Sequence, residues 1–224
     1  MMNLWHGFSL ILAFALPISG MAAAQQLASG PQGIFTGSTD VGKTLPGATI
    51  FDAATGSYRV SGGGADLWGS EDDFHFDWVL LSGDATLTAD VRFLSDGSVP
   101  LEKAILIFRQ SLDTASAYAD IAIHRDGHTT IQFRSVSGGK TEDVEAPERN
   151  PKSIRIERKG NLFTASTISA DGKMTPFSMT TVALDGPIYV GIGLCAHNAN
   201  GLTTAVFSNV SLVQPAGSPA VNKK

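Results

Sequence analysis

The chain predicts an all-β domain of antiparallel strands, folded as a sandwich or a barrel. Three observations carry that prediction. Apolar and polar residues alternate with period two in run after run, and turn dipeptides separate the runs at short intervals. No stretch beyond the first two dozen residues is convincingly helical. The clearest run is Ala85, Leu87, Ala89, Val91 and Phe93, interleaved with Thr86, Thr88, Asp90 and Arg92. Alternate side chains of a strand point to opposite faces, so this strand is expected to have one buried face and one wet face. Runs from Lys103, Tyr118 and Thr129 follow, with Asp126-Gly127 placed as the tip of a hairpin. Residues 83–137 therefore read as the middle of an antiparallel sheet.

The other elements follow in order. Phe8 to Ile18 is an apolar run too short to span a bilayer comfortably, and Ala22-Ala23-Ala24 supplies small residues for cleavage before Gln25. Residues 1–24 are expected to be a secretory signal peptide, although their first seven residues lack Lys and Arg. That expectation places the protein in the periplasm or outside the cell, with no membrane span once the signal is removed. Residues 25–32 read as a lead-in, and 33–213 as one domain. Tyr58 and Val60 mark a short strand, after which Ser61-Gly62-Gly63-Gly64 reads as a turn; it lacks the strand and helix that a phosphate loop needs. From Asp73 to Leu81, Phe74, Phe76, Trp78 and Leu80 share one face. Asp73, His75, Asp77 and Val79 share the other, which reads as wet.

Pro147 and Pro151 mark residues 141–152 as a polar loop. Lys159-Gly160 and Asp171-Gly172 are two further turns, flanked by strands from Lys152, Asn161, Pro187 and Leu202. Residues 214–224, rich in Pro, Gly and Ser, read as a flexible tail.

Composition limits the functional classes. A net charge of −5 without a basic stripe gives no reason to expect nucleic acid. One cysteine allows no internal disulfide, and Cys195, inside an apolar run, reads as a small buried hydrophobe.

Several pieces, taken as an ordered set, resemble a known group of domains. They are Asp40-Val41-Gly42, Tyr58-x-Val60-x-Gly62, Asp66-Leu67-Trp68-Gly69, Asp73-Phe74-His75-Phe76, Lys103 to Arg109, Gln132-Phe133-Arg134, Arg155-Ile156-Glu157-Arg158-x-Gly160 and Tyr189-Val190-Gly191-x-Gly193. In this order they are similar to the concanavalin A-like/laminin G-like jelly-roll domains of secreted bacterial proteins. Those domains occur alone or appended to TolB-like propellers and to carbohydrate-active enzymes. The resemblance implies an antiparallel two-sheet jelly-roll sandwich over nearly the whole chain after residue 24. It departs at Ile105, where similar domains usually have Gly, and at Gln110, where they have an acid. Because a jelly roll hosts lectins, glycanases, lyases and spacers alike, it does not fix a function.

Candidate sites follow from which residues share a face. Tyr118, Asp120 and His124 lie on one face of their strand, and Gln132 and Arg134 on one face of theirs. Arg109 shares its face with Ile105 and Ile107. If these strands are neighbours, Arg109, Tyr118, Asp120, His124, Gln132 and Arg134 form one ligand-binding patch. Planar hydrogen bonding from Arg and Asp, with aromatic stacking, suits carbohydrate. The structural alternative is pairing of Arg109 and Arg134 with Asp120 or Glu157. Trp68 and His197 fall at loop ends.

Glu71, Asp72, Asp73 and Asp77 are weak candidates for calcium, the one cofactor considered. They supply no obvious carboxylate pair for glycoside hydrolysis, since Glu71 and Asp77 stand about 20 Å apart along an extended strand. No Gly-x-Ser-x-Gly elbow or His-Glu-x-x-His motif is present, and the histidines do not fall at zinc spacing. The expectation is an exported, non-catalytic module that binds carbohydrate through one sheet face, with a glycan or a cell-envelope protein as partner. The alternatives are a protein-interaction domain of a TolB-like envelope system and a polysaccharide hydrolase or lyase.

Overall fold

A computed structural model describes residues 24–26, 33–94 and 99–216. The expected signal peptide up to residue 23, most of the lead-in and the tail beyond residue 216 lie outside them. Strands occur in chain order as β1 (Ala24–Gln26), β2 (Gly37–Val41), β3 (Ala48–Asp52), β4 (Ser57–Gly64), β5 (Leu67–Trp68) and β6 (Glu71–Asp72). They continue as β7 (Phe74–Leu81), β8 (Ala85–Phe93), β9 (Lys103–Arg109), β10 (Tyr118–His124), β11 (Thr129–Arg134) and β12 (Glu142–Glu145). The last five are β13 (Ser153–Lys159), β14 (Leu162–Ile168), β15 (Met174–Thr181), β16 (Ile188–Cys195) and β17 (Asn198–Pro215). No helix occurs among the described residues, so none there could cross a membrane.

Two antiparallel sheets pack face to face. One runs β15-β14-β13-β8-β17-β4-β3, with β1 added on β17, and the other runs β12-β11-β10-β9-β16-β7-β2. This is the expected all-β jelly-roll sandwich. Side chains of both inner faces fill the space between: Leu87, Ile156, Phe207 and Leu212 from the first sheet, and Leu106, Phe108, Ile121, Ile131 and Ile192 from the second, all at 0% exposure. Phe108 and Phe163 meet across the gap, ring centroids 5.6 Å apart and near-perpendicular.

The turn chemistry behaves as its dipeptides predict. Asp126-Gly127 closes β10 onto β11 with Gly127 at φ 90°, a conformation that costs an L side chain energy. Three other expectations are corrected. Residues 83–137 do not form the middle of one sheet: β8 belongs to the first sheet and β9, β10 and β11 to the second. Period two reports which face is buried, not which sheet a strand joins. The glycines at 62–64 continue β4 instead of turning the chain. Strand β4 passes so close to β16 that a Cβ on Gly62 would lie 2.5 Å from the Leu194 carbonyl oxygen. Within the polar stretch at 141–152, Glu142–Glu145 pairs with β11 as an edge strand, and the prolines lie beyond it.

A second apolar layer lies on the outer face of the seven-stranded sheet. It contains Leu67, Phe74, Phe76, Ile105, Ile107, Tyr118 and Cys195. The short hairpin β5–β6, which pairs Leu67 with Asp72 and Trp68 with Glu71, lies over this layer as a flap. Strands β9 and β10 are consequently buried on both faces, where alternation had predicted one wet face. The same holds for β7. His75 and Asp77, on its supposed wet face, are 3% and 4% exposed and point between the sheets.

Candidate functional site

Strand register decides which polar residues meet. Strand β10 lies between β9 and β11, so the six patch residues share the outer face of three neighbouring strands. Tyr118 stands opposite Arg109 and Arg134, Asp120 opposite Ile107 and Gln132, and His124 opposite Lys103. Along this face the patch divides into a closed half and an open half.

The closed half lies under the flap. Asp72, carried there by β6, receives Arg134 through two bonds, Nη2 to Oδ1 at 2.7 Å and Nη1 to Oδ2 at 2.9 Å. Arg109 Nη1 adds a third at 3.2 Å, and all three side chains are fully buried. The remaining guanidinium contacts are Arg109 to the Ser111 and Asp113 carbonyls, and Arg134 to the Trp68, Gly69, Thr114 and Ser116 carbonyls and to Thr141 Oγ1. Arg134 also stacks on the Tyr118 ring at 5.0 Å, and the Tyr118 hydroxyl is 3.0 Å from Thr141 Oγ1. Every strong donor here is already used. Arg109, Arg134 and Tyr118 therefore hold the flap down and present no surface to a ligand. Their partner is Asp72, not Asp120 or Glu157.

The open half is a cleft of about 250 Å3 beside the flap. Its floor is His124, Thr130, Gln132 and Lys103, and its walls include Trp68 from the flap, His128 and His197 from loops, and Asp143 from β12. Trp68 is 39% exposed at the rim. Lys103 Nζ is anchored to Asp66 at 2.6 Å and to the Leu67 carbonyl at 2.9 Å, and His197 sits 3.4 Å from Asp66. The His124 and His128 rings stack at 3.7 Å.

The floor has an unusual property. Both ring nitrogens of His124, Oγ1 of Thr130, Oε1 of Gln132 and, behind the floor, both carboxyl oxygens of Asp120 are buried with no partner at good hydrogen-bond geometry. The Leu101 backbone at His124 and the Gln132 backbone at Asp120 exert only minor influence. Asp120 and Gln132 are directly opposite in register, and Thr130 is the next residue on that face of β11. Buried polar atoms are nearly always paired, because leaving one unpaired costs about 1–3 kcal/mol. A cluster of them on one face marks a place where hydrogen bonds are missing.

These groups are also held neutral. Burial pushes the His124 imidazole down to about 3, with His128 and Lys103 adding to the shift. Burial pushes the Asp120 carboxyl well above its usual range, and Lys103 opposes this only in part. A neutral imidazole offers one donor and one acceptor.

The four acids considered for calcium do not converge. Glu71 is exposed, Asp72 is bound by the two arginines, Asp73 accepts the Lys43 amide, and Asp77 lies on the opposite side of the sheet with Thr49. Among the described residues no group of three or more His, Cys, Asp or Glu side chains is placed to hold a metal ion. Cys195 is buried in the outer layer, its thiol pushed up to about 12 by desolvation. Gln110, in place of the acid found in similar domains, forms two 2.8 Å hydrogen bonds with the backbone of Asp185.

No protein-family model matches the chain, and no curated protein matches it in sequence. Solved structures do match. A functionally unknown protein from Saccharomyces cerevisiae superposes with a TM-score of 0.59 at 19% identity, over 80% of this chain and 97% of that one. Arcelin-5, a lectin-like defense protein from Phaseolus vulgaris, gives 0.50 at 10% identity over 79% and 97%. Carbohydrate binding module CBM66 from Bacillus subtilis gives 0.50 at 16% identity over 80% and 97%. The chain has the concanavalin A-like jelly-roll fold.

Proposed function

We propose that this protein is an exported carbohydrate-binding module whose ligand seats in the cleft between the flap and β12. The observation that carries the reading is the set of unpartnered buried polar atoms on its floor, from His124, Thr130 and Gln132. A sugar's vicinal hydroxyls, each both donor and acceptor, are the natural complement to neutral groups that also offer both. Trp68, exposed at the rim, supplies the apolar ring face on which a pyranose stacks. The lectin-like and carbohydrate-binding neighbours in fold are consistent with this and do not establish it. Of the six patch residues, His124 and Gln132 line the cleft and serve the ligand, and Asp120 lies buried behind Gln132. Arg109, Tyr118 and Arg134 support them from beneath the flap.

The test is a glycan array and polysaccharide pull-down with the purified protein, its His124→Ala and Gln132→Ala variants, and Trp68→Ala. Binding to one glycan class that all three substitutions weaken at least tenfold supports the reading. Absence of binding to any sugar moves the assignment to a protein partner in the cell envelope.

A further inference from the structure

The face of the seven-stranded sheet that points toward its companion carries another polar cluster, at the open edge between β2 and β3. His75 on β7 is 3% exposed. Its Nδ1 is 2.7 Å from Asp40 Oδ1, and its Nε2 is 3.2 Å from Ser38 Oγ and 3.3 Å from Thr49 Oγ1. Asp40 is itself oriented by the Gly47 amide, at 3.1 and 3.2 Å to its two oxygens. Gly47 must lack a side chain, since a Cβ there would come within 2.3 Å of His75 Nδ1.

Proton bookkeeping settles the roles. The Asp40 carboxylate accepts from Nδ1–H, which leaves Nε2 as an acceptor. Thr49 donates its proton to Asp77 Oδ2. Ser38, an exposed residue, places its hydroxyl 3.2 Å from Nε2, where its proton can go either to that nitrogen or to Asp77. Asp77 also accepts a hydrogen bond from Ser38, and with Asp40 it flanks His75 with a second carboxyl. A small pocket of about 150 Å3 opens beside Ser38, with Phe35, Phe51 and Tyr58 as its apolar walls.

We propose that Ser38, His75 and Asp40 form a nucleophile–base–orienter relay that cleaves short-chain acyl esters, with the acyl group in the Phe35–Phe51–Tyr58 pocket. A hydroxyl is activated by an adjacent base that a third group orients, and the constellation is recognised by geometry, not by sequence position. Ser38 Oγ attacks the ester carbonyl carbon while its proton passes to His75 Nε2. The C–O bond to the alcohol breaks, and the leaving alkoxide takes that proton. Water then attacks the acyl-Ser38 ester, gives its proton to Nε2, and Ser38 recovers it as the acid departs. The site lies on the other face of the sheet from the sugar cleft and does not depend on it.

The test uses the whole protein, an alkyl fluorophosphonate and p-nitrophenyl acetate. The wild type is expected to form one adduct, mapped to Ser38 by peptide mass spectrometry, with P–F cleavage and release of fluoride. Ser38→Ala is expected to abolish it. His75→Gln and Asp40→Asn are expected to slow labelling and ester cleavage by at least about tenfold, within the ~10²–10⁴ range of general-base catalysis. Glu71→Gln, at an exposed residue of the flap on the other face of the sheet, is expected to retain the rate within about threefold. Asp40→Asn is also expected to lower kcat while KM for p-nitrophenyl acetate stays within about twofold; a purely structural role would raise KM as the pocket loosens. No adduct on the wild type, an adduct that persists in Ser38→Ala, or an Asp40→Asn variant with unchanged rate overturns the assignment.

Discussion

Asp72 and Arg134 meet in a two-pronged pair, 2.7 and 2.9 Å, with neither side chain exposed to solvent. Desolvation pushes the Asp72 carboxyl up, and the guanidiniums of Arg134 and Arg109 pull it back only in part. The triad therefore fixes the flap in place more than it adds net stability. Removing one member leaves a charge buried without compensation. Arg134→Ala and Asp72→Ala should each lower unfolding free energy by about 3–5 kcal/mol, measured by urea denaturation. A loss below about 1 kcal/mol would show that the flap is not held this way.

The same triad shows what the sequence could and could not disclose. Alternation along the strands correctly placed Arg109, Tyr118, Asp120, His124, Gln132 and Arg134 on shared faces, and β9, β10 and β11 are indeed neighbours. Burial of that face was not legible. It depends on a two-strand hairpin from residues 67–72 folding back more than thirty positions from Arg109, and no local period records such a contact. Asp72 had been grouped with Glu71, Asp73 and Asp77 because they are close in sequence. Lys103, Thr130 and Asp143 entered the cleft unannounced for a related reason. A lone polar residue on a strand has no signal until its neighbours across the sheet are known. The Ser38–His75–Asp40 arrangement spans two strands, β2 and β7, in the same way and matches no sequence motif.

Asp120 yields a prediction of opposite sign to the triad. Its carboxyl pKa is pushed well above the usual range in the folded protein, chiefly by burial. Unfolded Asp ionises near 3.9. The folded state thus keeps a proton that the unfolded state gives up, and stability falls as pH rises through that window. Asp120→Asn keeps the shape and cannot ionise. It should raise the melting temperature at pH 8, and the gain should shrink as pH falls toward the unfolded carboxyl's value. Scanning calorimetry at the two pH values checks this; a destabilised variant at pH 8 would contradict the neutral carboxyl.

His124 acts at the acid end. Its folded pKa of about 3 lies below the unfolded value near 6.5, so the unfolded state binds the extra proton. Stability is intact above 6.5 and is lost as pH falls toward 3, at about 1.4 kcal/mol per pH unit. Between pH 6.5 and 5 the wild type should lose about 2 kcal/mol that His124→Gln does not lose. Parallel stability curves for the two proteins over that range would rule out a buried neutral imidazole.

The Gly47 position offers a check on the packing around His75. A Cβ there would lie 2.4 Å from the ring carbon Cγ, and the ring is confined by Ser38, Thr49 and Asp40. Gly47→Ala should cost about 1–3 kcal/mol, typical of overpacking a filled site. The imidazole resonances of His75 should move in the NMR spectrum while those of His124 stay in place. An unchanged His75 signal would mean that the ring is not held against this turn.

The central claim is that the unpartnered atoms on the cleft floor are completed by a sugar. The most direct measurement is titration calorimetry of the wild type and His124→Ala, with the glycan class first identified by array. The account predicts saturable binding by the wild type, at least tenfold weaker binding by His124→Ala, and an Arg109→Lys variant that loses stability before it loses any contact of its own with the ligand. Equal affinity in wild type and His124→Ala would contradict it.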